Sequence, residues 1–312
     1  MFMFIDSKLY ERIMQKKQRL ENLRPFPKVA LERLQERLRL LFTYNSNAIE
    51  GNTLTLRETK LVVQEGITIG GKSLREHSEA INHQKAIEFI ETLVTDKKEI
   101  TEEIIFQIHR FILHNIEEEE IGIYRKRKVW IEGASFVPAK PDLVPELMQQ
   151  FFVWLKENPE NCNIMEQAAL AHEKFVFVHP FIDGNGRVAR LFTSLMLMQH
   201  DFPPLIILKT ERQKYIRTLE AAHNEKYEPF VNFMGRCLER SLVLYLEALE
   251  TNIKKDEEYI SLQQATKYCK YSQEYLSLLA RKGQLEAVKF HKDWKTTRKA
   301  VEEYVKRTNY SH

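Results

Sequence analysis

Apolar side chains that return every three or four residues constrain this chain more than any other feature. They do so over 29–42, 74–94, 104–116, 143–155, 165–178, 188–198 and 215–249, the pattern of helices that each bury one stripe. The expected fold class is therefore mainly α, with a core built by helix packing. Local signals mark helix ends: Thr55 with Glu58 forms a capping-box pattern, Thr101 precedes two acidic residues, and Gly66 suits a C-terminal cap. One stretch departs from the helical period. In KRKVWIEGASFVPAK, residues 126–140, Val129, Trp130 and Ile131 precede Gly133, and Phe136 and Val137 follow it, which reads as a short β-hairpin.

At 312 residues the chain accommodates one large domain and one small one. A 43% hydrophobic fraction with 10 glycines and 10 prolines excludes disordered and collagen-like chains. The opening MFMFIDSKLY lacks a basic n-region and is interrupted at Asp6, so it does not read as a signal peptide. No run approaches the roughly 20 apolar residues needed to cross a bilayer, so no membrane partner is expected. Cys162, Cys237 and Cys269 are odd in number and lack metal-ligand spacing, which points to reduced thiols filling the core of a cytoplasmic protein. Charge is uneven: residues 259–312 hold 11 Lys/Arg against 5 Asp/Glu, within a chain of net charge +3. The charge-rich TNIKKDEE, 251–258, is the expected boundary, dividing an N-terminal helical region (1–100) and a core (101–250) from a basic module (251–312).

The chemistry concentrates in FVFVHPFIDGNGRVARLF, 175–192. An apolar helix runs into His179 and Pro180, a loop holds Gly184 and Gly186, and a second helix begins near Arg187. A glycine-rich loop entering a helix aims several backbone N–H groups, with the positive end of the helix dipole, at one point suited to a phosphate. Arg187 and Arg190 share a face of that first turn, where the dipole disfavours cations by a few tenths to about 1 kcal/mol each. An anion is the physical reason to keep them there, and their planar forks match phosphate oxygens. Asp183 is a hard oxygen ligand beside those phosphates, where Mg²⁺ would bridge carboxylate and nucleotide. Asn185 can lend its side-chain amide to the same oxygens, and His179 can act as a base near neutral pH.

HPFIDGNGRVAR resembles the Fic signature H-x-F-x-[D/E]-G-N-G-R-x-x-R at every defined position. Helix 74–94, the hairpin and residues 210–234 look like that family's usual surroundings, so the resemblance covers most of 40–250. It implies a Fic-type helical domain with a hairpin flap, ATP as substrate with Mg²⁺, and transfer of AMP to a protein hydroxyl with release of pyrophosphate. By resemblance His179 is the base and Asp183 the metal ligand. Gly184, Asn185 and Gly186 would cradle the α- and β-phosphates, Arg187 would hold the leaving pyrophosphate portion, Arg190 the γ-phosphate, and Phe181 would anchor the loop. Fic-like kinases carry lysine at the position of Gly186, so this chain sides with AMP transfer. The flap, 126–140, implies a protein substrate clamped by main-chain pairing; a surface hairpin over the core explains the same residues. Tyr215 and His223 fall where relatives contact adenine, or simply pack on an amphipathic helix. Members often dimerise, so a homodimer is an expected partner state.

Upstream, TYNSNAIEGNTLT contains Ser46, Glu50 and Gly51 in the spacing of the family's inhibitory motif [S/T]-x-x-x-E-[G/N]. Beside an intact signature this implies that Glu50 pairs with Arg190 and competes with the γ-phosphate; by itself the segment also reads as a helix end with a Gly-Asn turn. In some relatives the same glutamate orients a water that removes AMP.

The tail reads as helix 262–269, a turn, helix 273–282 capped by Ser272 and ended by Gly283, a hairpin with Trp294 and a last helix. That order resembles an excisionase-type winged helix-turn-helix. Ser272, Gln273, Tyr275, Arg281 and Lys282 lie on or beside the recognition helix, with His291 and Lys292 at the wing, and DNA is the expected partner; dimerisation or target docking would use the same face. Two function classes follow: an autoinhibited protein adenylyltransferase, or a DNA-binding or antitoxin-like regulator whose nucleotide site only senses ATP.

Overall fold

Side chains that satisfy the first free N–H groups set most helix starts in the computed structural model, which describes residues 4–309 apart from 25, 27, 118, 131–136, 257–259, 291 and 292. Among the described residues the first ten helices are α1 (Ser7–Glu21), α2 (Lys28–Ile49), α3 (Leu56–Glu65), α4 (Leu74–Thr95), α5 (Glu102–Leu113), α6 (Val144–Glu157), α7 (Ile164–Val178), α8 (Asn185–Met198), α9 (Arg212–His223) and α10 (Tyr227–Asp256). Thr55 and Glu58 form the expected capping box, and Gly66 closes α3 in the left-handed conformation at φ 67°. Ser73 and Glu76 make a second box at α4. The run 215–249 is two helices rather than one. The chain turns after His223, where Glu225 takes φ 62° and the N–H groups of Glu225 and Lys226 return to Ala222 and Ala221.

The chain divides into two compact units, Met1–Leu246 and Glu247–His312. In the first, α8 is the centre, packed on α2, α4, α5 and α7. Nearly all of its residues are buried, so it carries apolar side chains on every face. Phe151, Phe175 and Phe192 pack edge to face and Phe181 meets Phe175 at a tilt, a cluster that joins α6, α7, α8 and the loop before α8. That aromatic core fixes where the loop between α7 and α8 emerges.

The second unit contains β1 (Ile260–Ser261), α11 (Leu262–Ala265), α12 (Gln273–Arg281), β2 (Ala287–Phe290), β3 (Asp293–Thr296) and α13 (Arg298–Asn309). β3 lies between β1 and β2, antiparallel to both, with Val288 opposite Lys295. Leu262, Leu276, Leu279, Leu285 and Val301 form its own small core. Among the described residues, no helix is long and apolar enough to cross a membrane.

Candidate active site

His179 ends α7 in the left-handed conformation, φ 51° and ψ 60°, with its N–H returning to the Phe175 carbonyl. A non-glycine residue adopts this shape only when its surroundings enforce it, and here Pro180 stops the helix while Arg125 grips the turn. The Arg125 guanidinium donates to the carbonyls of His179 (2.6 Å), Val178 (3.3 Å), Ala139 (2.5 Å) and Arg127 (3.1 Å). Its own N–H reaches Pro180 O. The His179 ring nitrogen Nδ1 lies 3.2 Å from the Val176 carbonyl. Because a carbonyl only accepts, Nδ1 carries the proton and Nε2 is left with its lone pair. Burial pushes the imidazole pKa down to about 4, so the ring is neutral at pH 7.

The loop beyond is held from beneath. Phe181 is fully buried and stacks on His109 with centroids 3.7 Å apart. His109 accepts from Gly122 N–H at Nδ1 and therefore donates from Nε2 to Asp183 O, 3.1 Å away. Asn185 differs from its expected role. Its side chain is buried and doubly engaged with Phe181, accepting from the N–H and donating to the carbonyl. The amide thus shapes the loop, and the bare backbone of 184–186 faces the cavity. Gly184, at φ 78°, is the N-cap of α8.

A cavity of about 590 Å³ collects His179, Asp183, Gly184, Gly186 and Arg187 with Glu50 and Gly51 from the end of α2 and Arg75 and Glu79 from α4. Arg187 is buried. It donates to Asp183 Oδ1 at 3.1 Å and lies 3.4 Å from Glu79, while its Nε–H has no partner among the described residues. A buried donor left unpaired costs about 1–3 kcal/mol, so an acceptor from a ligand suits it. Burial raises the Asp183 pKa, but Arg187, the Gly184 N–H and Arg75 outweigh it and hold the carboxyl below its ordinary value. Among the described residues no three His, Cys, Asp or Glu side chains gather as a metal cage. An ion held by Asp183 would complete its shell with phosphate and water oxygens, a donor set that fits Mg²⁺ with a nucleotide.

Arg190 is 1% exposed, with Nε donating to Ser46 Oγ (3.0 Å) and Nη2 to Ser46 O (2.9 Å) and Glu50 Oε1 (2.7 Å). Burial works to raise the Glu50 pKa, yet Arg190 and Arg187 bring it below its ordinary value. The position of Glu50 follows from how α2 ends. Gly51 at φ 97° returns its N–H to Ala48 O and Asn52 reaches back to Asn47 O, a Schellman arrangement that makes Glu50 the last residue before the turn. Asn47 and Asn52 then donate to Glu79 O, Glu76 O and Glu79 Oε2 on α4, and Arg212 Nε donates to Ile49 O. A Cβ on Gly186 would collide with Glu50 Oε1, so a glycine there leaves room for the carboxylate.

A family model described as Fic/DOC matches residues 99–197. The crystal structure of a Fic domain containing signaling protein from Bacteroides thetaiotaomicron is 30% identical, with a TM-score of 0.72, over 77% of this chain and 97% of that one. This chain belongs to the Fic/DOC family. Fic-1 from C. elegans is 33% identical with a TM-score of 0.70, over 79% of this chain and 74% of that structure. A protein adenylyltransferase Fic of Nematostella vectensis is 36% identical over 244 residues, 78% of this chain and 56% of that protein. The chain spans about half the length of the curated relatives it matches.

The Fic/DOC signature residues come together, but Tyr215 and His223 do not line the cavity. Tyr215 is buried behind Arg190 with its hydroxyl 2.7 Å from His172 Nε2, and His223 packs on Phe177 and lies 3.6 Å from Glu173. Of 126–140, residues 131–136 lie outside the described residues. The described flanks, 126–130 and 137–140, contain no strand, and Trp130 reaches the cavity rim. In the second unit Ser272 caps α12 as expected. Gln273, Tyr275, Arg281 and Lys282 are exposed, while His291 and Lys292 lie outside the described residues. Sequence reading missed Arg75, Glu79, His109 and Arg125. Arg75, Glu79 and His109 lie within helices and Arg125 in the irregular segment after α5; each is one polar residue among several, and only its distant partner reveals its role.

Proposed function

We propose that this Fic/DOC chain is an autoinhibited protein adenylyltransferase that transfers AMP from ATP to a Ser, Thr or Tyr hydroxyl of a protein. The observation that carries this reading is a neutral His179, with its Nε2 lone pair free, sharing one cavity with the carboxylate of Asp183 and the loop 184–187. Nε2 takes the proton of the target hydroxyl as its oxygen attacks the α-phosphorus. The new P–O bond forms on the target, the α–β bridging bond breaks, and pyrophosphate leaves. The backbone N–H groups at the start of α8 and the unpaired Nε–H of Arg187 supply donors for the developing charge. Mg²⁺ held by Asp183 would neutralise phosphate charge and fix the nucleotide. An extended target segment would lie along 126–140 beside Trp130.

Restraint is the second half of the proposal. Glu50 occupies the fork of Arg190 that a γ-phosphate would need, and the two acceptors exclude one another. The full chain, its Glu50→Gly variant and its His179→Ala variant, incubated with α-labelled ATP and Mg²⁺ in a lysate, test both halves. Label is expected to rise in Glu50→Gly and vanish in His179→Ala. Silence in all three would favour the nucleotide-sensing regulator, and equal label in wild type and Glu50→Gly would remove the restraint. The same glutamate beside a bound AMP-protein would orient a water for AMP removal, which release of labelled AMP would reveal.

For the second unit we infer a winged helix-turn-helix that binds DNA, on the observation that α12 and its C-cap Lys282 present exposed Tyr275, Leu278, Arg281 and Lys282 in a basic module. Duplex binding that weakens steeply with salt, and further in an Arg281→Ala, Lys282→Ala variant, is expected. Absence of binding at low salt would refute it.

A further inference from the structure

Asp183 meets a cation that lies outside the signature. Arg75, the second residue of α4, donates from Nη2 to Asp183 Oδ2 at 2.6 Å. The oxygen thereby engaged is the one not already committed to the Gly184 N–H and Arg187, which both address Oδ1. If Asp183 is the metal ligand, the reading on which this inference rests, Arg75 sits on the coordination position. A guanidinium and a divalent cation cannot share one carboxylate oxygen at contact distance, because like charges repel and both need the same lone pairs.

Arg75 also has somewhere to go. Its Nε lies 3.3 Å from Glu79 Oε1, one turn further along α4, and its side chain is 56% exposed, so it can swing without breaking packing. Glu79 is fixed independently by Asn52 and approaches Arg187 at 3.4 Å, which keeps that second carboxylate in place whichever way Arg75 points. Because no cage of three ligating side chains exists among the described residues, occupancy by a metal depends heavily on this one carboxylate.

We infer that Arg75 is a displaceable counter-ion of Asp183: an incoming divalent cation takes Oδ2, Arg75 retreats onto Glu79, and this exchange sets the metal concentration at which the nucleotide site fills. It is a restraint on the metal side of the cavity, separate from that of Glu50 on the phosphate side. Arg75 is a positioning residue, and its removal should strengthen metal binding rather than weaken it.

Mn²⁺ serves as the probe, with free Mn²⁺ read by electron paramagnetic resonance in the presence of α,β-methylene-ATP, which cannot be cleaved at the transferred phosphorus. The full chain carrying Glu50→Gly is compared with the same chain also carrying Arg75→Ala, Arg75→Lys or Asp183→Asn. An exposed ion pair is modest in strength, so Arg75→Ala should lower the apparent Kd for Mn²⁺ by about three- to tenfold, with Arg75→Lys between. Adding Asp183→Asn to Arg75→Ala should erase the gain. Unchanged or weaker Mn²⁺ binding in Arg75→Ala, while Asp183→Asn still reduces binding, would overturn the counter-ion role and leave the metal reading intact; weaker binding would make Arg75 a nucleotide ligand instead. Mn²⁺ binding indifferent to Asp183→Asn would overturn both. Thermal melting of each variant verifies folding, and Arg75→Gln replaces Arg75→Ala should that chain fail to fold.

Discussion

Removing the Glu50 carboxylate should cost the resting protein stability in a measurable and pH-dependent way. Arg190 is 1% exposed and, among the described residues, its one carboxylate partner at hydrogen-bond distance is Glu50, 2.7 Å away. Breaking a fully buried pair by deleting one partner costs about 3–5 kcal/mol. Two features reduce that figure here. The Glu50 side chain is 37% exposed to the cavity, so water screens the pair, and Arg190 keeps both hydrogen bonds to Ser46. A cost of about 2 kcal/mol remains, which for a unit of this size lowers Tm by about 4–8 °C. Differential scanning calorimetry of wild type and Glu50→Gly at pH 7 measures it, with Glu50→Gln as an intermediate that keeps shape and an acceptor oxygen but not charge. The sign with pH follows from linkage. The folded-state pKa of Glu50 lies below its ordinary value of 4.5, so the pair contributes its full stability above that value and loses it as pH falls through the folded value. The gap between wild type and variant should therefore persist at pH 5 and close on further acidification. Saturating ATP with Mg²⁺ should raise Tm more in the variant, since binding no longer has to displace the carboxylate. Equal melting temperatures at pH 7, or a gap that widens in acid, would refute the assignment of the restraint to this ion pair.

Two further outcomes bear on the base. Replacing Arg125 by alanine strips donors from the carbonyls of Arg127, Ala139, Val178 and His179, at about 1 kcal/mol each before relaxation, so a loss of about 3 kcal/mol in urea unfolding is expected; an unchanged midpoint would show that water replaces it freely. With the His179 pKa pushed down to about 4 by burial, label transfer by Glu50→Gly should stay flat from pH 8 to pH 6 and fall only as the ring protonates towards pH 4. An inflection near 6.5 would mean that the ring is solvated in the working enzyme.

What the sequence alone determined is what local chemistry encodes. Helix type and most helix ends follow from periodicity and from caps such as Thr55, Gly66 and Ser272, which act on neighbours a few residues away. The signature 179–190 was legible for the same reason: its base, carboxylate, glycines and arginines are contiguous, and a loop entering a helix dictates where its N–H groups point. Tertiary structure decided everything that depends on distant partners. The pairing of Glu50 with Arg190, which the family resemblance implied but no local rule derives, spans 140 residues, and that of Arg75 with Asp183, which nothing in the sequence signalled, spans 108. Asn185, expected to face phosphate, turns inward because the Phe181 backbone needs both of its amide atoms once Phe181 is locked between His109 and the aromatic core. Tyr215, read as either an adenine contact or a packing residue, is buried with its hydroxyl on His172. A buried polar group must find a partner wherever the fold supplies one, and no periodicity in the chain announces where that will be.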